Sequence, residues 1–215
     1  MKLLMRPCFT LILCLLASPA LLAADSEVIP LPKPRMEGGK PLLQVLRERK
    51  SIRDFKPDSL SRQTLSDLLW AAYGINRPEI DHRTVPSAMN SQEIDLYVAT
   101  SEGLFLYEAK PHALKRVLSE DIRAKSTGQA SLKEAPVALV MVGDLPRLTK
   151  AKPEDREFYA AIDTGFISQN IYLFCASEGL ATVVHDLDRR ILAQAMKLRP
   201  EQKITIAQSV GYPKN

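Results

Sequence analysis

The sequence predicts an α+β protein in which helices flank a mixed central sheet. Patterns typical of helices and of strands are interspersed along the 215 residues without the strict alternation of βαβ units. Val137 to Val142 is a continuous apolar run, as in a strand that is buried on both faces. Glu154 to Glu178 predicts one long helix that is apolar around most of its circumference, which indicates burial in a core or at a subunit interface.

The N-terminus has the pattern of a secretory signal peptide. Two basic residues among the first six precede an apolar run, Cys8 to Leu22, that ends in small residues. This run is shorter than the roughly 20 residues that a membrane-spanning helix needs. We expect cleavage at Ala23 or Ala24, so that residues 1–24 form a signal peptide and the protein is exported to the periplasm.

The charge and the cysteine content exclude several classes of function. Without the signal peptide the chain has 27 Lys and Arg against 25 Asp and Glu, which argues against nucleic acid as a partner. Only Cys175 remains, so an internal disulfide is excluded, and the three histidines lack the spacing of metal ligands. The sequence has neither a Gly-x-Ser-x-Gly motif nor a phosphate-binding glycine-rich loop, so hydrolase and nucleotidase chemistry have no support.

The first half of the chain begins with a segment that has no apolar period. Residues 25–40 are rich in proline and glycine, which predicts a flexible leader before a single domain at 41–215. The first helix starts near Leu42 and runs into basic residues that end at Arg53, and Pro57 prevents its continuation.

The second helix begins after Ser61, whose hydroxyl can cap it, and ends at Gly74. The segment from Ile75 to Asn90 has no period and carries many polar side chains, which indicates a ligand-facing loop. The remaining elements are a hairpin of strands at Ile94–Thr100 and Leu104–Tyr107, the buried strand, the long helix closed by Gly179, a strand at Ala181–Val184, a helix at Arg189–Leu198 and a strand at Ile204–Val210.

Four short segments resemble the nitroreductase family in their order along the chain. They are Arg49 to Arg53, Pro86 to Gln92, Glu178 to Thr182 and Val210 to Pro213. Asp163 to Gly165, on the long helix, also matches the family's dimer-forming helix. The resemblance implies a nitroreductase-like fold, FMN as the cofactor and a homodimer.

The resemblance assigns the first segment to the flavin phosphate, and guanidinium groups with a hydroxyl donor suit that dianion. Arg49, Ser51 and Arg53 would bind the phosphate, and Lys50 or Arg53 would stabilise negative charge at the pyrimidine edge of the flavin. Lys214 would complete the phosphate site. The alternative is that these cations only favour the dipole at the end of the first helix.

The second and third segments would contact the flavin ring. Ser87 and Asn90 would donate or accept hydrogen bonds from the loop, although turn chemistry alone also explains both residues. A backbone N–H at Glu178 and Gly179 would contact flavin N5, and the alternative is that the glycine only caps the helix. The family commonly has Gln-Pro-aromatic where this chain has Gln92-Glu93-Ile94.

The implied function is that of an FMN-dependent oxidoreductase acting on a small-molecule substrate. A reduced donor, NAD(P)H by the resemblance, would give hydride to flavin N5, and a nitroaromatic or quinone would then accept it. Export conflicts with NAD(P)H as the donor, so the donor stays open. Two alternatives are a SagB-like FMN dehydrogenase that oxidises its substrate and a flavin-free binding module with the same fold. His185 with Asp186 is either a proton donor over the pocket or a surface pair at a helix N-terminus.

Overall fold

The computed structural model describes residues 27–214, and the predicted signal peptide lies outside them. The α-helices of this part are α1 (Leu42–Glu48), α2 (Arg62–Tyr73), α3 (Arg156–Glu178) and α4 (Arg189–Met196). The strands are β1 (Val28–Pro30), β2 (Ile75–Arg77), β3 (His82–Arg83), β4 (Ile94–Thr100), β5 (Gly103–Glu108), β6 (Ala113–Leu118), β7 (Val137–Asp144), β8 (Ala181–His185) and β9 (Gln202–Gly211).

One seven-stranded sheet organises the fold, in the order β1-β6-β5-β4-β7-β9-β8, and β2 pairs with β3 separately. Every pairing between these described strands is antiparallel, which corrects the expected mixed sheet. β7 and β8 do run in the same direction, because α3 crosses between them. However, β9 returns between the two and pairs antiparallel with each.

The core lies on both faces of this sheet. β7 is buried along its whole length, as the continuous apolar run predicted. Its Leu139 and Met141 pack in one cluster with α2 and α3, whereas Val140 and Val142 pack in a second cluster with α4. Successive side chains of a strand point to opposite faces, so one strand holds the two layers together. The α+β class with helices on a large sheet is therefore confirmed.

The helix boundaries follow the capping residues that the sequence contains. The Ser61 side chain accepts the Thr64 N–H at 3.0 Å and begins α2, and Gly74 ends it. The long helix is preceded by a 3₁₀ turn at Pro153–Asp155 and ends at Gly179, which has a φ of 72° that suits glycine. None of the helices in the described part of the chain is long and apolar enough to cross a membrane.

Residues 27–40 are held against the domain, which corrects the expected flexible leader. β1 pairs with β6 at the sheet edge, and the Ser66 hydroxyl donates to the Pro32 carbonyl at 2.6 Å. Arg35 bonds the buried carboxylate of Asp67 through its backbone N–H and its Nε, at 2.8 and 2.7 Å. Proline-rich composition predicts an extended chain, but it does not show that an edge strand and buried polar groups elsewhere will take its hydrogen bonds.

Candidate functional site

The basic segment after α1 lies along the free edge of the sheet. β8 is an edge strand, and its Thr182 carbonyl accepts the Ile52 N–H at 3.0 Å. A few residues further on, the Lys56 N–H donates to the Tyr212 carbonyl at 2.8 Å, and Phe55 forms a bridge with Pro213. Residues 49–56, which contain the first of the four segments named above, therefore contact both the end of the third segment, at Thr182, and the fourth segment, at Tyr212 and Pro213.

Tyr172 of α3 anchors this segment, and sequence reasoning missed it. Its hydroxyl accepts the Val184 N–H at 3.0 Å and shares a hydrogen bond of 2.8 Å with the Ser51 hydroxyl. The Arg49 guanidinium lies 5.2 Å from the centre of the Tyr172 ring, within the range of a cation–π contact. One aromatic side chain thus positions two of the predicted phosphate ligands, Arg49 and Ser51.

The cations of this segment have no carboxylate partners among residues 27–214. No ion pair there involves Arg49, Lys50 or Arg53, and none involves Lys214, which lies beside the segment. Other arginines, such as Arg123 and Arg199, do form ion pairs. The Lys214 N–H donates to the Asp54 carbonyl at 3.2 Å, so the end of the chain lies beside the basic segment. Uncompensated cations beside an exposed hydroxyl form the donor set that a phosphate prefers, and the residues present fit this group.

A cavity of about 480 Å³ opens between this segment and the end of α3. Lys50, Tyr172, Gly179 and Thr182 are among its lining residues, so the structure brings the first and third predicted segments together. The backbone N–H groups of Gly179 and Leu180 both donate to the Cys175 carbonyl as the helix cap. This geometry supports the capping role of the glycine, and its contact with a flavin stays a prediction.

The neighbouring carboxylate of the third segment points away from the cavity. Glu178 is exposed at the end of α3, and its Oε2 lies 3.7 Å from the Arg35 guanidinium. In this structure it ties residues 27–40 to the end of the helix. Its predicted part in binding the cofactor stays untested.

The loop at residues 87–92 is the second part of the predicted site, and it has a strained backbone. Met89 and Asn90 have φ values of 53°, and Gln92 has 48°, a left-handed conformation that side chains disfavour. The Ser87 hydroxyl accepts the Gln92 N–H at 3.0 Å, and the Asn90 amide lies 3.2 Å from His82 Nε2. These contacts keep the polar side chains of the loop in one arrangement.

Two buried carboxyl groups, Glu93 and Asp163, lie beneath this loop. Asp163 Oδ2 accepts the Ala88 N–H at 2.7 Å and so holds the loop on α3. Glu93 is fully buried, and its pKa is raised to about 7, first by burial and then by the nearby charge of Asp163. Arg147 opposes this effect, but it is already engaged by Asp95 and Asp144.

The loop and the basic segment are anchored at different places on α3. The loop is bound to α3 at Asp163 and the basic segment at Tyr172, nine residues further along. At 1.5 Å and 100° per residue, these two positions are about 14 Å apart along the helix and half a turn out of phase. A ligand that touched both groups would therefore have to extend across α3 or take one group from a second chain.

His185 does not lie at the surface or over the cavity. It is buried in β8, and its Nε2 forms a hydrogen bond of 2.9 Å with the Ser209 hydroxyl. Burial lowers its pKa, which favours the neutral ring. His185 is therefore neither a surface residue nor a proton donor over the cavity. Asp186 does fit the surface interpretation, because it is exposed and pairs at 2.8 Å with Arg189 at the start of α4.

The structure defines an α+β protein in which a basic segment without carboxylate partners lies at the edge of a large antiparallel sheet. Comparisons with known proteins extend this result. The model of the nitroreductase family matches residues 46–212. A Methanocaldococcus jannaschii protein named "Putative nitroreductase" is 31% identical over 153 residues, which cover 66% of this chain and 76% of that protein.

Solved structures give the same result for the fold. The crystal structure of a "putative nitroreductase" from Ralstonia eutropha has a TM-score of 0.84 and 37% identity, over 90% of this chain and 93% of that one. A Desulfovibrio desulfuricans structure described as a "putative nitroreductase in complex with fmn" has a TM-score of 0.59 and 21% identity, over 82% and 88%. This chain belongs to the nitroreductase family.

Proposed function

We propose that this protein is an FMN-dependent oxidoreductase that works as a homodimer. The observation that carries the proposal is that Arg49 and the exposed Ser51 hydroxyl both contact Tyr172 at the β8 edge. Among the described residues, Arg49, Lys50 and Arg53 form no ion pair, and neither does Lys214, whose backbone lies beside the segment. A related structure contains FMN, and the donor set here suits the phosphate of the same cofactor.

The residues of the basic segment would bind the phosphate and stabilise charge. Arg49 and Ser51 would hold the phosphate oxygens, because Tyr172 fixes both of them before any ligand arrives. Lys50 or Arg53 would stabilise negative charge on the pyrimidine edge of the ring. When bound, FMN would supply hydride exchange at N5, and the protein would orient the substrate and exclude water.

An exposed face of α3 supports the homodimer. Phe158, Ile162 and Phe166 lie on one side of the helix, and Phe158 has 65% of its surface exposed. Gly165 lies on the same side, and a Cβ added to it would meet no atom within 4 Å, so another helix could approach closely. Around the helix axis, at about 100° per residue, this face points between the directions of Asp163 and Tyr172, so a second chain packed there would lie beside both parts of the predicted site.

The compartment and the electron donor belong to the proposal as well. We propose export to the periplasm after removal of residues 1–24, with a nitroaromatic, a quinone or a similar small molecule as the acceptor. FMN would then bind after export, because a chain that is threaded unfolded has no pocket for it. NAD(P)H is the donor by family, and its absence from that compartment favours a different reductant there.

The absorption spectrum of the purified protein tests the proposal. Protein from the native host, or protein incubated with FMN and desalted, should show the oxidised flavin band with about one FMN per chain. Reduction by dithionite should bleach the band, and a quinone should restore it. A protein that retains no flavin at micromolar concentration would support the flavin-free binding module instead. A flavin that is reduced by a substrate in the absence of any other donor would support the SagB-like dehydrogenase.

A further inference from the structure

The strongest unexplained feature is the pair of buried carboxyl groups beneath the 87–92 loop. Glu93 has no exposed surface, and Asp163 is 3% exposed. Among the described residues, neither Glu93 side-chain oxygen has a hydrogen-bond donor, although buried polar groups nearly always have one. Asp163, by contrast, holds the loop through the Ala88 N–H at 2.7 Å.

The charged and titratable groups around Glu93 do not neutralise it. α3 contributes Asp163, α2 contributes the Tyr73 hydroxyl, and the turn after β7 contributes Arg147. The Arg147 guanidinium already binds Asp95 and Asp144, and Arg83 stacks 3.9 Å from the centre of the Tyr73 ring. The largest effect of a neighbouring charge on Glu93 therefore comes from a second carboxyl group, Asp163, and Glu93 forms no ion pair among the described residues.

We propose that Glu93 and Asp163 share one proton and that this proton holds the 87–92 loop in the shape that the flavin requires. The inference rests on the proposed function, because Ser87 and Asn90 are the predicted ring contacts. Protonated Glu93 donates its O–H to the Asp163 carboxylate and keeps that carboxylate aligned on the Ala88 N–H. Glu93 and Asp163 are positioning residues in this scheme, since neither touches the cofactor.

Loss of the proton weakens this arrangement. Two adjacent buried carboxylates repel each other strongly, and burial leaves little water to screen them. Asp163 then moves from the Ala88 N–H, or Glu93 moves toward Arg147. The loop depends on this anchor because Met89, Asn90 and Gln92 all have left-handed backbones that persist only while surrounding contacts enforce them.

The infrared spectrum of the flavin-free protein tests the shared proton directly. The wild type should show the carbonyl stretch of a protonated, buried carboxyl group that disappears with a midpoint near pH 7. Glu93→Gln should lack this band, and Asp163→Asn should move the midpoint to lower pH because a neighbouring negative charge is removed. A wild-type spectrum without the band, or a band that persists in Glu93→Gln, overturns the proposal.

The pH dependence of FMN affinity tests the link to the loop. The phosphate of FMN titrates in the same range, so the informative quantity is the ratio of the Kd of the wild type to that of Glu93→Gln, in which the phosphate contribution cancels. The ratio should be near one at about pH 5.5 and rise by about threefold to tenfold by about pH 8.5, as Glu93 ionises only in the wild type.

These experiments distinguish a failure of the proposed function from a failure of the inference about the shared proton and the loop. A wild type that binds no FMN at any pH refutes the proposed function, while the infrared titration still decides whether the proton is shared. FMN binding with a constant ratio refutes the link between the proton and the loop and leaves the proposed function standing. Hydrogen exchange at the Ala88 amide, compared at equal pH in the two proteins, should show faster exchange in the wild type above pH 7.

Discussion

The hydroxyl of Tyr172 lies 2.8 Å from that of Ser51, and this contact joins the long helix to the basic segment at the sheet edge. The same tyrosine oxygen accepts the Val184 N–H. One side chain therefore provides a hydrogen-bond acceptor for a backbone N–H on the open edge of β8 and also orients a predicted phosphate ligand. Edge strands expose unpaired backbone groups, and covering them stabilises the sheet. Tyr172 therefore links the edge of the sheet to the predicted phosphate site.

Tyr172→Phe should weaken FMN binding with little change in fold. The variant keeps the ring under Arg49 but loses the hydrogen bonds to Ser51 and Val184. A net hydrogen bond contributes about 0.5–1.5 kcal/mol, so the Kd should rise by about twofold to tenfold in a fluorescence titration. Tyr159→Phe, on the same helix, is the control and should bind as the wild type does. Equal affinity in both variants would show that Ser51 does not need its anchor.

Arg49→Ala and Arg53→Ala should each weaken FMN by about 1.5–3 kcal/mol, the range for a hydrogen bond to a charged group. Riboflavin, which lacks the phosphate, separates the roles of the two residues. A pure phosphate ligand should leave riboflavin affinity unchanged, whereas a residue at the pyrimidine edge should affect both ligands. Arg190→Ala, on α4, removes an exposed cation remote from the site and should have no effect. Wild-type FMN affinity in both site variants would exclude this phosphate site.

Glu93 should make the stability of the flavin-free protein fall between about pH 4.5 and pH 7. Its pKa in the folded state is about 7, above the ordinary value of 4.5, so the folded state binds more protons in this window. The free energy of unfolding should therefore decrease as pH rises through the window, by at most about 1.4 kcal/mol per pH unit, and level off above it. Urea unfolding at several pH values measures this slope. Glu93→Gln should remove this contribution, and an unchanged slope would show that Glu93 ionises normally.

Phe166→Glu should convert the proposed homodimer into a monomer. A charged side chain on the exposed apolar face of α3 opposes burial of that face against a second chain. Light scattering at micromolar concentration gives the mass of each protein. Ile191→Glu is the control, because it places the same charge on an exposed apolar position of α4. A wild type that is monomeric across this range contradicts the dimer.

The sequence was most informative where the determining interactions are local. Ser61 and Gly74 cap their own helix, and the continuous apolar run of β7 correctly predicted that both of its faces are buried. β6 was missed because Lys115 and Arg116 interrupt its apolar pattern, and its pairing with β1 depends on residues about 85 positions away.

In the predicted site, too, local features could be predicted from the sequence, whereas long-range contacts could not. The basic segment was assigned to a phosphate by its resemblance to the nitroreductase family, and its cations and hydroxyl donor suit that anion. Tyr172 and Asp163 belong to no motif that predicts their contacts. Each acts on a segment that is 75 or more residues away, and only the folded chain shows the two together. The capping of α3 by Gly179 was predictable, but the use of both N–H groups in that cap was not.

Removal of residues 27–40 should destabilise the domain, whereas cleavage after residue 24 should not. A chain that begins at residue 41 loses the β1–β6 pairing and leaves the buried Asp67 carboxylate without Arg35. The Ser66 hydroxyl, which donates to the Pro32 carbonyl and contacts His112, loses one partner as well. For a domain of this size each kcal/mol corresponds to about 2–4 °C, and we expect the midpoint of thermal unfolding to fall by roughly 5 °C or more. A chain that begins at residue 25 is the matched control. Equal midpoints for the two chains would mean that these contacts contribute nothing and that the segment serves only as a spacer.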